Sequence, residues 1–200
     1  MPDGMTRPML PAVENFVSAM RKLYEDGVPE TDRWERCREL LAEVIADPDV
    51  KAHAEAWPVT GFNPKTDKVS NLLFYEDPDY GFVINALIKN PGGYAMIHDH
   101  GPSWTIYGVL AGEERIVHYD ATQRDDGKFD LAEKHADICR PGDVDVVPPR
   151  LIHSEYAGAE KSIAVIVRSQ RSGTFEQFRY LEDGRQVIIL GPDQAPYALS

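Results

Sequence analysis

His98 and His100 stand two apart in the run Ala95-Met96-Ile97-His98-Asp99-His100-Gly101, and His153 ends a second run that begins at Gly142. On a β-strand, side chains two apart share a face, so both imidazoles of the pair would project together. Neutral imidazoles that converge on one point form a seat for a transition metal. Glu155, two residues beyond His153, would face the same way on a continued strand. A carboxylate there could accept a proton, orient a histidine or ligate the metal itself. Arg150, Arg168 and Arg179 could each grip a substrate anion through two parallel N–H donors. Arg150 is the foremost of these because it lies at the bend that carries His153. Tyr107 sits on a β-type run whose inward or outward register the sequence leaves open. The remaining histidines, His53, His118 and His135, lie in polar or strand-surface contexts and are read as bystanders.

These residues need a scaffold that brings distant segments together. Apolar residues at spacings of three and four from Leu10 to Tyr24 predict a helix. A second follows, capped by Thr31 or Asp32 and stopped at Asp47-Pro48, with a shorter third over Asp49 to Trp57. From about Asn71 onward the chain becomes a series of short β-type runs: Asn71–Tyr75, Phe82–Ile88, Tyr94–His100, Thr105–Leu110, Glu114–Tyr119, Ala136–Cys139, Val144–Val147, Ile163–Val167, Phe175–Leu181 and Gln186–Leu190. Turns such as Pro91-Gly92-Gly93, Ala111-Gly112 and Pro141-Gly142-Asp143 separate them. Many short strands with few helices between them predict a sandwich or barrel. The expected organisation is a helical cap over residues 1–60 on a single β-barrel over 61–200, in a mainly β chain.

Composition narrows the function classes. The 200 residues carry 21 Lys and Arg against 33 Asp and Glu, a formal charge of −12, with no basic cluster. Nucleic acid and anionic membrane surfaces are therefore not expected partners. No stretch is long and apolar enough to span a bilayer. Cys37 and Cys139 have no CxxC partner and read as reduced, buried thiols. The amino terminus lacks a charged segment leading into an apolar one, so a cytoplasmic protein is the expectation. Phosphate-binding glycine loops and the G-x-S-x-G hydrolase elbow are absent from the sequence.

The two histidine runs together resemble the cupin superfamily. Its first motif, G-x5-H-x-H-x3,4-E-x6-G, is matched at Gly92, His98 and His100, with Gly112 near the closing glycine. Its second, G-x5-P-x-G-x2-H-x3-N, is matched at Gly142, Pro148 and His153. The resemblance covers about residues 70–170 and implies a double-stranded β-helix, the jelly-roll barrel of that superfamily. The motif glutamate is replaced by Trp104 and Thr105, which leaves a three-histidine metal site formed by His98, His100 and His153. Arg150 and Ala157 stand where glycine and asparagine are usual. Three-histidine cupins with a helical cap are similar to the thiol dioxygenases, of the cysteine and 3-mercaptopropionate type, as are the runs Ile97–Gly101, Tyr107–Gly112 and Ser70–Leu73. Two features of that family are missing: Ser70 replaces its carboxylate-gripping arginine, and Ser162, Ala164 and Ile166 replace its Ser-His-Tyr relay. Its cysteine beside Trp104–Thr105 is absent too.

What the resemblance implies is an enzyme, a non-haem dioxygenase acting with O2 on a small thiol or chelating molecule. Fe(II) is the expected ion, with Zn(II), Ni(II) or Mn(II) as alternatives. Two other readings remain open: a non-redox cupin isomerase or hydrolase with Glu155 as base, and a non-catalytic metal or small-molecule binding module. A homodimer is the assembly such proteins often adopt.

Overall fold

The computed structural model describes residues 9–63 and 68–199. Helix α1 (Pro11–Glu25) buries Val13, Phe16, Val17 and Met20 along one stripe. Helix α2 (Glu30–Ala46) starts directly after Pro29, whose restricted φ already aims the chain into a helix. The expected cap at Thr31 or Asp32 is corrected accordingly, since both residues lie inside the first turn. Asp47 ends α2 and opens α3 (Pro48–Ala54), its carboxylate accepting from the backbone N–H groups of Asp49 and Val50 at 3.0 and 2.9 Å.

Thirteen strands follow among the described residues. They are β1 (Phe62–Asn63), β2 (Lys68–Glu76), β3 (Val83–Lys89), β4 (Tyr94–His98), β5 (Thr105–Ala111), β6 (Glu114–Gln123) and β7 (Phe129–Cys139). The rest are β8 (Val144–Val147), β9 (Ile152–Ala157), β10 (Ser162–Arg168), β11 (Gln177–Tyr180), β12 (Gln186–Ile189) and β13 (Asp193–Pro196). One sheet runs β1-β2-β3-β10-β5-β8 with β13 beside β2, and the other runs β12-β11-β4-β9-β6-β7. Neighbours pair antiparallel except β13 and β2, which are parallel. The chain is mainly β, two sheets with three helices at the amino-terminal side.

The first sheet is buried on both faces, and every residue of β3 and β10 is inaccessible. Such strands read as near-continuous apolar runs, which is why their positions were plain in the sequence. Ile84, Ala86, Ile88, Ile106, Val165 and Val167 pack outward against Trp34, Leu41 and Ile45 of α2. Their neighbours in the alternation, Leu87, Tyr107, Val109, Ala164 and Ile166, meet Ile116 of the other sheet. By the same period of two, Lys89, Thr105, Ser162 and Arg168 share that inner face. The helices thus seal the outer face of the sheet, and its inner face carries the polar residues. No helix among the described residues is long and apolar enough to cross a membrane.

The strand reading missed β1, β9 and β13 and cut β6 and β7 short. The distal β6–β7 hairpin is exposed, so no alternation marks it. Gly108 on β5 faces α2, and a Cβ there would come within 3.2 Å of Leu41. Gly108→Val should therefore overpack this interface and cost about 1–3 kcal/mol. The expected result is a lower urea midpoint with an unchanged m-value.

Candidate metal centre

The register of the second sheet places the ligand candidates. His98 is directly opposite His153 across the β4–β9 pair, and Ala95 is opposite Glu155. The centroids of His98 and His153 are 4.5 Å apart, and His100 lies 4.8 Å from each. One ligand atom from each of His98, His100, His153 and Glu155 can be chosen so that all lie within 4.8 Å of one another. The expectation that both motif histidines ride one strand is corrected: β4 ends at His98, and His100 lies in the turn beyond it. Asp99 between them makes that turn. Its carboxylate accepts from the backbone N–H groups of Gly101 at 2.8 Å and Phe178 at 3.2 Å, and from the Tyr180 hydroxyl at 3.3 Å. Gly101 follows with φ +53, and a Cβ there would collide with the Glu176 carbonyl, so glycine is required.

Each imidazole is oriented through its Nδ1. That of His98 lies 2.7 Å from the Met96 carbonyl oxygen, that of His153 3.2 Å from the Leu151 carbonyl oxygen, and that of His100 3.4 Å from Gln177 Oε1. A proton held on Nδ1 leaves the Nε2 lone pair available, the tautomer that a metal ligand needs. Nε2 of His153 is buried and has no hydrogen-bond partner; Glu155 Oε1 is 3.4 Å away but not aligned for one. Burial, reinforced by His153, pushes the His98 pKa down to about 3. Burial and the nearby Arg168 push His100 well below the usual imidazole range. The His98 and His100 rings are neutral. Buried imidazoles with an orphaned nitrogen and an adjacent carboxylate fit a divalent metal.

Glu155 changes the donor set. With glutamate missing from the first motif, the resemblance implies three histidines alone, and the structure places beside them Glu155, the carboxylate that the sequence offers as an orienter, proton acceptor or further ligand. The reason is parity: residues 153 and 155 share the inner face of β9, the continued strand that this spacing requires. Glu155 Oε2 accepts from Lys89 Nζ at 2.8 Å. The ammonium also reaches Glu114 Oε2 at 2.6 Å and the Tyr107 hydroxyl at 3.0 Å. Tyr107 in turn donates to Glu114 Oε2, and Ser162 donates to Glu114 Oε1, both at 2.7 Å. Burial alone would raise the Glu155 pKa, but Lys89 and His153 outweigh it and hold the carboxyl well below its usual range. For Lys89 burial works in the opposite direction, and the two carboxylates still raise the ammonium above its ordinary value.

A cavity of about 850 Å³ opens over this group. His98, His100, Glu155, Lys89, Arg168 and Gln177 line it. Arg179 lines it as well, but Tyr107 does not, being buried behind Lys89 and Glu114. Arg150 does not line it either. It is exposed with φ +64, because the bend after Pro149 turns its side chain away, while its backbone N–H donates to the Gly101 carbonyl at 2.9 Å. The bystander histidines stay apart from the group. His53 accepts from Trp57 Nε1 at 2.9 Å, His118 stands 3.6 Å from Asp145, and exposed His135 pairs with Asp137.

No protein-family pattern matches this chain, and no curated protein matches it. Solved structures similar to it include an oxidase, a cupin domain and a seed globulin. A recombinant oxalate oxidase in complex with glycolate is 22% identical with a TM-score of 0.37, over 45% of this chain and 42% of that one. The Cnp3 cupin domain of Schizosaccharomyces pombe is 10% identical at 0.39, over 50% and 60%. Pumpkin seed globulin is 12% identical at 0.38, over 45% and 22%. The chain thus spans under two thirds of each of them, and its fold assignment rests on its own strand order.

Two predictions test this geometry. His153→Ala should abolish tight metal retention after dialysis, His135→Ala should leave it intact, and Gln177→Leu should weaken affinity about 10–100-fold through the loosened His100 ring. Lys89→Met should destabilise the fold by about 3–5 kcal/mol, because two buried carboxylates lose their cation. Adding Glu114→Gln should restore part of that loss in a urea titration.

Proposed function

We propose that this chain is a metal-dependent oxidoreductase that uses O2, a dioxygenase of a small thiol or chelating molecule bound in the cavity. The observation that carries the reading is the state of the only carboxylate among the described residues of the cavity wall. Glu155 has one oxygen hydrogen-bonded to Lys89 and the other 3.4 Å from His153 Nε2 within the metal group, so it faces the metal site and its cation. Isomerisation or hydrolysis by a side-chain acid or base would need that group free to reach the substrate, and at the buried end Lys89 and Glu155 are bonded to each other, with Lys89 also on Glu114. Chemistry that depends on co-binding of substrate and O2 needs no such group.

When bound, a redox-active metal such as Fe(II) would supply a common coordination sphere for substrate and O2. The chain's own share is to hold His98 and His100 neutral and to aim these two rings and His153 through their Nδ1 contacts. Lys89 keeps Glu155 ionised and fixed in place. Arg168 and Gln177 stand at the cavity floor to orient the substrate's polar end, and Leu87 and Met96 exclude water from the wall.

Oxygen consumption by the Fe(II)-loaded protein checks the proposal. A screen of small thiols, diketones and enols should yield at least one substrate whose turnover consumes O2 and stops under nitrogen. Turnover that continues at full rate without O2 would overturn it.

A further inference from the structure

The cavity is polar at its buried end and apolar at its open end, the reverse of the usual protein surface. At the floor, Asn71, Lys89, His100, Glu155, Arg168 and Gln177 are all buried. At the mouth, Val59, Tyr94, Ile188 and Leu190 are 45%, 65%, 57% and 49% exposed, and all four line the same cavity. They are four of the six large hydrophobic residues that are exposed among the described residues. Scattered exposed apolar side chains are normal, whereas a group gathered around one opening marks a binding site.

The floor carries a second, independent sign of a ligand. Arg168 Nε, Gln177 Nε2 and Arg179 Nε are buried atoms without hydrogen-bond partners, on three residues that line the cavity. These three N–H donors stand against one unpaired acceptor on the same floor, Asn71 Oδ1. Buried polar groups are normally paired, so unpaired donors at a cavity wall call for acceptor atoms from outside the chain. Charge points the same way. Lys89, Arg168 and Arg179 line the cavity against Glu155 alone, and with Glu114 behind Lys89 the count is three cations to two carboxylates, so the wall has no anion to spare.

Size supplies the third constraint. About 850 Å³ lies near the upper end of pockets that hold drug-sized ligands. A three- or four-carbon polar metabolite would occupy only the floor and leave the apolar mouth in water.

We infer that the substrate of this site is amphipathic: an acceptor-rich, anionic head seated at the Arg168–Gln177 floor and an apolar tail lying against Val59, Tyr94, Ile188 and Leu190. The inference rests on the reading of the metal group as the reactive end of the cavity, and it puts the reacting atoms in the head. The tail sets affinity and selectivity.

The test uses straight-chain carboxylates from acetate to octanoate as probes, titrated calorimetrically into the metal-free chain. Affinity should rise about fourfold for each methylene that enters the mouth, the burial of one CH2. Ile188→Ser with Leu190→Ser should flatten that rise while leaving acetate binding and the thermal midpoint unchanged, since both side chains are exposed. A series with no dependence on chain length would overturn the inference, as would a slope that the double variant leaves intact. A dimer seen by sedimentation that the double variant dissolves would also overturn it, because the mouth would then belong to a second copy. Working without metal keeps the two readings separable: absence of O2 chemistry would leave the chain-length series untouched, and a flat series would leave O2 consumption untouched.

Discussion

A carboxylate cannot stay ionised inside a β-barrel without a cation beside it, and this constraint organises the interior. Removing a charge from water costs several kcal/mol even after relaxation. Glu155 meets that cost through Lys89, whose ammonium is shared with Glu114, while Tyr107 and Ser162 occupy remaining lone pairs of Glu114. Lys89 closes β3, Glu114 opens β6, and Tyr107 lies on β5, so the cluster joins both sheets at the point where the metal group sits. A local shift in any of these strands would leave a buried charge unpaired. The same interactions that hold Glu155 beside His153 therefore also fix the distance between the sheets.

The helices make this polar interior affordable. Apolar burial stabilises by roughly 25 cal/mol per Å², and a barrel lined with charged groups lacks much of that area inside. Here the missing apolar burial is found on the other side of the first sheet, where Trp34, Leu41, Ile45 and Trp57 pack on Ile84, Ile88, Ile106 and Val167. Inside the barrel the apolar cluster is small, made of Leu87, Tyr107, Val109, Ile116, Ala164 and Ile166. Stability and chemistry are thus assigned to opposite faces of one sheet.

Sequence legibility follows the same division. Strands buried on both faces were visible as apolar runs, and the histidines were visible through spacing, because a metal group needs few residues in fixed order. Lys89 and Glu114 were not singled out, since their partnership exists only through the strand pairing that brings β3, β5 and β6 together. A signal was present nonetheless: Lys89 continues the inward alternation of Asn85 and Leu87, and Glu114 that of Ile116. β9 escaped notice because its inward residues, His153 and Glu155, are polar, which erases the hydrophobic alternation that marks a strand. Arg150 was misjudged for a backbone reason. A left-handed residue at a bend is uncommon outside glycine, and the one signal for it is that Arg150 stands where the second motif usually has glycine.

The arrangement also ties the metal group to the cavity mouth. Gln177, the partner of His100, occupies the space where a side chain at position 191 would begin; a Cβ on Gly191 would clash with its amide nitrogen. Gly191 has φ +74 and immediately follows Leu190, one of the exposed apolar residues of the mouth, and Ile188 is two residues further back on β12. β12 pairs with β11, which carries Gln177 opposite Ile189 and Arg179 opposite Val187. The segment that forms one side of the mouth therefore also sets the position of Gln177 and, through it, of the His100 ring. The mouth segment and the His100 ring thus meet at one side chain, the Gln177 amide, and glycine at 191 is what leaves room for it.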